Sequence, residues 1–170
     1  ENFSGKSHLG DIFVKKFKGI KINAHSFKNE NLQEIKVYEN IILENFDQNI
    51  DEVLMYSLFN TIDQDNKYLI INSTIPINEI SFKLDDLKSR TKNCLFAKIE
   101  KPDDELMFAL ILKNFSDRQI VIDKKLIDFI IKRIDRSYSK IFEFIYKIDE
   151  LSLKKKKPID FKTIKEALKA

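Results

Sequence analysis

Gly5-Lys6-Ser7, with Ser4 before it and His8 after it, is the stretch best equipped for chemistry. A phosphate-binding loop of pattern GxxxxGK[ST] closes on such a triplet. Glycine lets backbone N–H groups turn toward phosphate oxygens above a helix N-terminus. The lysine adds a mobile positive charge for the outer phosphates, and the hydroxyl is a hard oxygen ligand for Mg²⁺. The first glycine of the pattern would fall one position before Glu1. Alone, the triplet leaves two readings open: an anion cradle, or a Ser-Gly turn followed by a helix-starting lysine.

Such residues act only if a frame holds them. From residue 6 to about 18 the apolar Leu9, Ile12, Phe13 and Phe17 recur at helical spacing, and Gly19 ends the run. Residues 20–23 alternate as a short strand. Two runs, Asn40-Ile41-Ile42-Leu43 and Tyr68-Leu69-Ile70-Ile71, are apolar throughout, as buried parallel strands are. The first runs into Glu44-Asn45 and the second into Asn72-Ser73-Thr74, which puts polar groups at the carboxyl edge of the sheet.

Helices are predicted over about 50–62, with Val53, Leu54, Leu58 and Ile62 on one side, and over 84–90. Residues 95–99 read as a further strand. Pro102-Asp103-Asp104-Glu105 opens another helix, its proline where no N–H is needed and its acids facing the positive dipole end. Strands alternating with helices predict an α/β domain with a mainly parallel sheet over 1–116. Beyond it, over 117–170, Asp123, Ser137 and Asp160 each precede an apolar-periodic helix that they can cap, which predicts a small all-helical domain.

Bulk properties narrow the classes. The 30 basic and 27 acidic side chains are well mixed, unlike the concentrated positive face of a duplex-DNA reader. The one basic block, Lys154-Lys155-Lys156-Lys157, reads as a solvated helix end or an anion patch. No apolar run reaches membrane-spanning length. Cys94, a single cysteine, has no partner for an internal disulfide and suits a reducing cytoplasm. No cysteines and histidines share the spacing of zinc ligands.

The order of these pieces, with Leu87-Lys88-Ser89-Arg90 and Asp135-Arg136 following the strands, resembles the AAA+ ATPases of the DnaA/Hda family. That family joins the bacterial replication initiator to its shorter relative, the regulatory inactivator. The most specific stretches are DDLKSRTKNCLFAKIEKPDDE and IDRSYSKIFEFIYKIDELSLKKKKPIDFKTIKEAL. They look like the arginine-finger region and the lid. The resemblance implies a P-loop NTPase sheet flanked by helices, a small α-helical lid, and a strand before the phosphate loop that this chain does not contain.

Residue by residue, the resemblance implies that Ser4, Gly5, Lys6, Ser7 and His8 form the phosphate loop. It puts Glu44 at the Mg²⁺-linked Walker B position, with Ser7 as the other metal-linked group. Asn72 or Ser73 falls at sensor 1, Arg90 at the arginine finger and Arg136 at the sensor 2 arginine of the lid. The cofactors implied are ADP or ATP with Mg²⁺, expected of a full-length parent that has the preceding strand; this chain by itself is expected to bind nucleotide poorly. Arg90 also reads as an ordinary helix-end arginine, and Arg136 as a surface partner of Asp135 or Glu143. The sequence departs from the family in having Glu44 for aspartate and Asn45 where active ATPases carry an acid. An amide cannot polarise water as a carboxylate does, so intrinsic hydrolysis is expected to be weak or absent. Asp47 is a nearby acid that could partly stand in.

The segment 25–39 is too short for the initiator's extra helical insertion, and no helix-turn-helix module follows the lid residues here. Both favour the inactivator. The resemblance then implies DnaA as partner, the sliding clamp through a motif not in this chain, and possible homo-oligomerisation. An AAA+ fragment of the initiator, a conventional P-loop ATPase or kinase, and a nucleotide-independent adaptor are the alternatives.

Overall fold

The computed structural model describes residues 2–156 and 158–169. They form two compact units, Gly5–Lys98 and Ile99–Ala170, the latter grouped with Glu1–Ser4. The first unit holds a three-stranded parallel sheet in the order β1 (Ile20–Asn23), β2 (Asn40–Phe46), β3 (Tyr68–Ser73). Helices α1 (Lys6–Phe17), α2 (Asn29–Glu34), α3 (Glu52–Gln64) and α4 (Asp85–Lys92) accompany it.

The sheet presents two unlike faces because successive side chains alternate. Ile22, Ile41 and Leu43, with the partly buried Leu69 and Ile71, join Leu54, Leu58 and Ile62 of α3 and Leu87 of α4 in the main core. Asp51 starts α3 by accepting a bond from the Leu54 N–H, worth about 1 kcal/mol for such a cap. On the opposite face α1 approaches β2 through Gly10, the one buried residue of that helix among the described residues.

The expected apolar side of α1 is therefore not a core side: Leu9, Ile12 and Phe17 are exposed. Val53 likewise faces solvent, whereas Leu54, Leu58 and Ile62 are buried as expected. The strand expected over 95–99 does not form either. Leu95 is fully exposed and the stretch has no regular structure. A strand exists only where a neighbouring edge supplies hydrogen bonds, and the described sheet stops at β3.

The second unit is helical: α5 (Asp104–Asp117), α6 (Lys124–Ile131), α7 (Tyr138–Lys155) and α8 (Phe161–Lys169). Met107, Ile111 and Phe115 of α5 share one core with Leu126, Ile127, Ile130, Ile141, Ile145, Ile148 and Ile164. That common core groups α5 with the bundle helices, and the boundary between the compact units falls between Lys98 and Ile99. The expected caps form. Asp123 accepts from the Lys125 N–H, Ser137 from the Lys140 N–H, and Asp160 from the Thr163 N–H and hydroxyl. Lys154 and Lys155 are exposed and paired with Glu150 and Glu166. Lys157 lies outside the described residues.

Among the described residues no helix is long and apolar enough to cross a membrane. Among the same residues no group of three or more His, Cys, Asp or Glu is arranged to hold a metal by itself.

Candidate functional site

The carboxyl ends of β2 and β3 meet the first turn of α1, and a compact polar cluster forms there. Gly5 is the N-cap of α1 with φ of 87°, a left-handed conformation in which a side chain would be strained. Nothing lies within 4 Å of the position a Cβ would take, so conformation and not crowding calls for glycine. Lys6 and Ser7 open the helix behind it, and the N-terminal end of a helix favours anions. His8 is exposed. Ser4 groups with the helical unit and Gly5–His8 with the α/β unit.

Glu44 is the centre of the cluster. It is buried to 7% exposure at the end of β2. The Ser7 hydroxyl donates to its Oε2 at 2.8 Å, and the Asn72 amide donates to its Oε1 at 2.9 Å. The same Asn72 nitrogen lies 3.3 Å from the Lys6 carbonyl oxygen, which it also approaches as donor. Both carboxylate oxygens are thus met by side-chain donors that can compensate burial of the charge.

Asn72, not Ser73, is the residue that faces Glu44. The Ser73 hydroxyl donates to the Phe46 carbonyl at 2.7 Å and accepts from the Ile75 N–H, closing the backbone beside β2. That closure accompanies a bulge. Leu43 pairs with Ile71 but Phe46 pairs with Ser73, so β2 carries one extra residue between them. Asn45 takes φ of 56° there, which asparagine tolerates better than most residues. The bulge turns Asn45 out to solvent and lets Phe46 drop into the core beside Leu43.

Asp47 is engaged elsewhere. His25 Nε2 lies 3.2 Å from its Oδ2, and its Oδ1 accepts from the Asn49 N–H at 2.7 Å. His25, itself exposed, therefore has a partner, and Asp47 is committed to a turn.

Arg90 occupies the last turn of α4 and reaches across to α3. Its guanidinium pairs with Asp63, donates to the Asn60 side-chain Oδ1 at 2.7 Å and stands 6.0 Å from the centre of the Tyr56 ring. The side chain is 34% exposed and Asp63 60% exposed, so the pair is accessible from solvent. Cys94, half-buried near the main core, is held above the usual thiol pKa range by burial.

Arg136 belongs to the helical unit and pairs at 2.9 Å with Asp104 of α5, not with Asp135 or Glu143. The Glu143 carboxylate is taken by Lys140, which it holds protonated above the usual lysine range.

The oxygen donors of Ser7 and Glu44 fit a divalent cation of the Mg²⁺ type, which takes one or two protein oxygens and completes its shell with phosphates and water. The buried carboxylate supplies charge and the hydroxyl sits beside it. Lys6 precedes Ser7 in the same first turn of α1.

Two residues at these contacts escaped the sequence reading. Gly10 had a signal, being a glycine inside a helical run. Asp63 had none, since its meeting with Arg90 depends on how α3 and α4 pack.

No family model matches the chain. The chromosomal replication initiator protein DnaA of Caldanaerobacter subterraneus subsp. tengcongensis is 27% identical over 188 aligned positions, covering 97% of this chain. That alignment takes in 42% of the relative, so the chain spans less than half the length of the curated relatives it matches. Domain III of the Thermotoga maritima replication initiation protein DnaA superposes with a TM-score of 0.74 at 20% identity, covering 97% of this chain and 79% of that one. RuvB of Thermotoga maritima gives 0.73 at 13% identity, covering 97% and 57%. AMPPCP-bound DnaA from Aquifex aeolicus gives 0.68 at 20% identity, covering 92% and 57%. The fold is that of the AAA+ P-loop NTPases, and the sequence is DnaA-like.

Proposed function

We propose that this chain is the AAA+ core and lid, residues 1–116 and 117–170 by sequence, of a regulator of replication initiation that acts on DnaA. The reading has two parts: a nucleotide site that binds more than it hydrolyses, and an arginine offered to a neighbouring subunit. The observation that carries it is the joint arrangement of Glu44 and Asn45. Glu44 is held by Ser7 and Asn72 beneath the start of α1, while the next residue is an amide turned outward by a bulge.

In this reading the N-terminus of α1, with Gly5, Lys6 and Ser7, receives the phosphates of ADP or ATP. Ser7 and Glu44 hold Mg²⁺, which supplies charge neutralisation at the phosphate oxygens when bound. Asn72 fixes the carboxylate. His8 flanks the loop, Ser4 precedes it, and Arg136 is the candidate sensor 2 arginine of the lid. With Asn45 at solvent and Asp47 bonded to His25 and Asn49, no second carboxylate is poised to polarise an attacking water.

Arg90 supplies the trans effect. A guanidinium placed on a partner's terminal phosphate stabilises charge as that phosphate leaves, an effect on the order of 10³–10⁵-fold in such transfers. Its place in the last turn of α4, one-third exposed, supports this role. The partner proposed is ATP-bound DnaA, and a clamp contact would come from residues outside this chain.

The inactivator is preferred to the initiator on the β1–β2 connection. It holds only the six-residue α2 flanked by two short 3₁₀ turns. The match with the Caldanaerobacter initiator runs over 188 positions, so that relative carries internal residues this 170-residue chain lacks. The second reading, an AAA+ fragment of the initiator itself, is favoured by the curated relatives, which are initiators.

The test is to mix the protein with ATP-loaded DnaA and follow release of the γ-phosphate. Faster release than from DnaA alone supports the regulator. No acceleration, together with saturable ADP binding by the protein, points to the initiator fragment. No acceleration and no ADP binding point to an adaptor.

A further inference from the structure

Glycine inside a helix is destabilising, by roughly 0.5–1 kcal/mol relative to alanine, so Gly10 in the second turn of α1 calls for a reason. Its conformation gives none, because its φ is not positive. Its surroundings do. A Cβ built on Gly10 would lie 2.9 Å from Glu44 Oε1, and 3.6 Å from both the Asn72 amide nitrogen and the Ile42 Cδ1. An approach of 2.9 Å is closer than side-chain carbons normally come to any atom.

A free carboxylate would swing aside at little cost. This one cannot, because Ser7 holds one oxygen, Asn72 holds the other, and the residue is buried. Moving Oε1 away from a new methyl group means leaving the Asn72 amide. A buried charged acceptor would then lose a donor.

We propose that Gly10 and Glu44 are a matched pair, with Gly10 the positioning residue that gives the longer glutamate room to reach Ser7 and Asn72. An aspartate at position 44 is one methylene shorter and withdraws from α1, so it does not require glycine opposite. The pairing stands whether or not Arg90 acts on a neighbour, since every atom in it belongs to the α/β unit.

The experiment is a double-mutant cycle on the full chain, read as the midpoint of thermal unfolding: Gly10→Ala, Glu44→Asp and both together. Alanine in place of a helical glycine should raise the midpoint in the Glu44→Asp background by about 2–4 °C, the shift that ~1 kcal/mol gives at this chain length. In the parent background it should give no rise, or a fall. A purely structural preference for alanine in α1 would move both backgrounds alike. Equal shifts, or a larger rise in the parent background than in the Glu44→Asp background, therefore overturn the pairing. Should Gly10→Ala fail to fold, folding of the double variant upholds the pair and its failure overturns it.

Discussion

The Arg90 guanidinium rests against the Asp63 carboxylate, joining the end of α4 to the end of α3 where both are open to solvent. A finger that works on a neighbour's phosphate must leave this contact first. Asp63 therefore acts as a holding partner whose loss should favour the extended arm. An exposed ion pair of this kind is worth about 0.2–1 kcal/mol, or up to about fivefold in an equilibrium. Asp63→Asn should raise stimulation of DnaA hydrolysis by at most about that factor, with a loss of stability of no more than about 1 kcal/mol. A fall in stimulation would show that Asp63 aims the finger.

Asn72 is the only side-chain donor on Glu44 Oε1 among the described hydrogen bonds. Asn72→Ala leaves a buried carboxylate oxygen without it and should cost about 1–3 kcal/mol of folding stability. Urea denaturation checks this. Ser73→Ala, which removes a bond to the Phe46 carbonyl and none to Glu44, should leave divalent-cation-dependent nucleotide binding unchanged.

Asn45 sits in the left-handed region at a bulge, so residues with a branched Cβ are penalised there by about 1–2 kcal/mol. Asn45→Val should lose stability on that scale. Asn45→Asp should not produce turnover in the protein alone, because the bulge points position 45 outward. Phosphate release measured without DnaA decides; a burst of turnover from Asn45→Asp would contradict the orientation.

Asp160 accepts two bonds from Thr163, and the backbone bond followed by the hydroxyl bond lowers its pKa below the usual carboxylate range. A folded pKa below the unfolded value of about 3.9 means the contribution is fully present above that pH and lost as pH falls through the folded pKa. Asp160→Ala should therefore be destabilising at neutral pH, and its difference from the parent should shrink below about pH 4. Parallel unfolding curves of the two proteins at pH 7 and pH 3 would show it.

Much of the frame was legible because it rests on local patterns. The apolar runs of β2 and β3 and the caps Asp123, Ser137 and Asp160 each declare themselves within a few residues. Asparagine at position 72 was readable as a strand-end polar group, though only the bulge in β2 separates its role from that of Ser73. The stretch 95–99 has the composition of a strand but no edge to pair with, and pairing is not a property of the stretch itself. The face of α1 carries helical periodicity without burial, because periodicity records apolar spacing and not what covers it. Gly10 opposite Glu44, and Asp63 opposite Arg90, are 34 and 27 residues apart in sequence and meet only through packing.

Arg90 carries the central claim, and its loss from an intact fold is the most direct measurement. Arg90→Ala and Arg90→Lys should unfold close to the parent midpoint, while stimulation of γ-phosphate release from ATP-loaded DnaA falls to the rate of DnaA alone. Lysine cannot reproduce the forked contact of a guanidinium, so it should not rescue. Full stimulation by a folded Arg90→Ala protein would contradict the account.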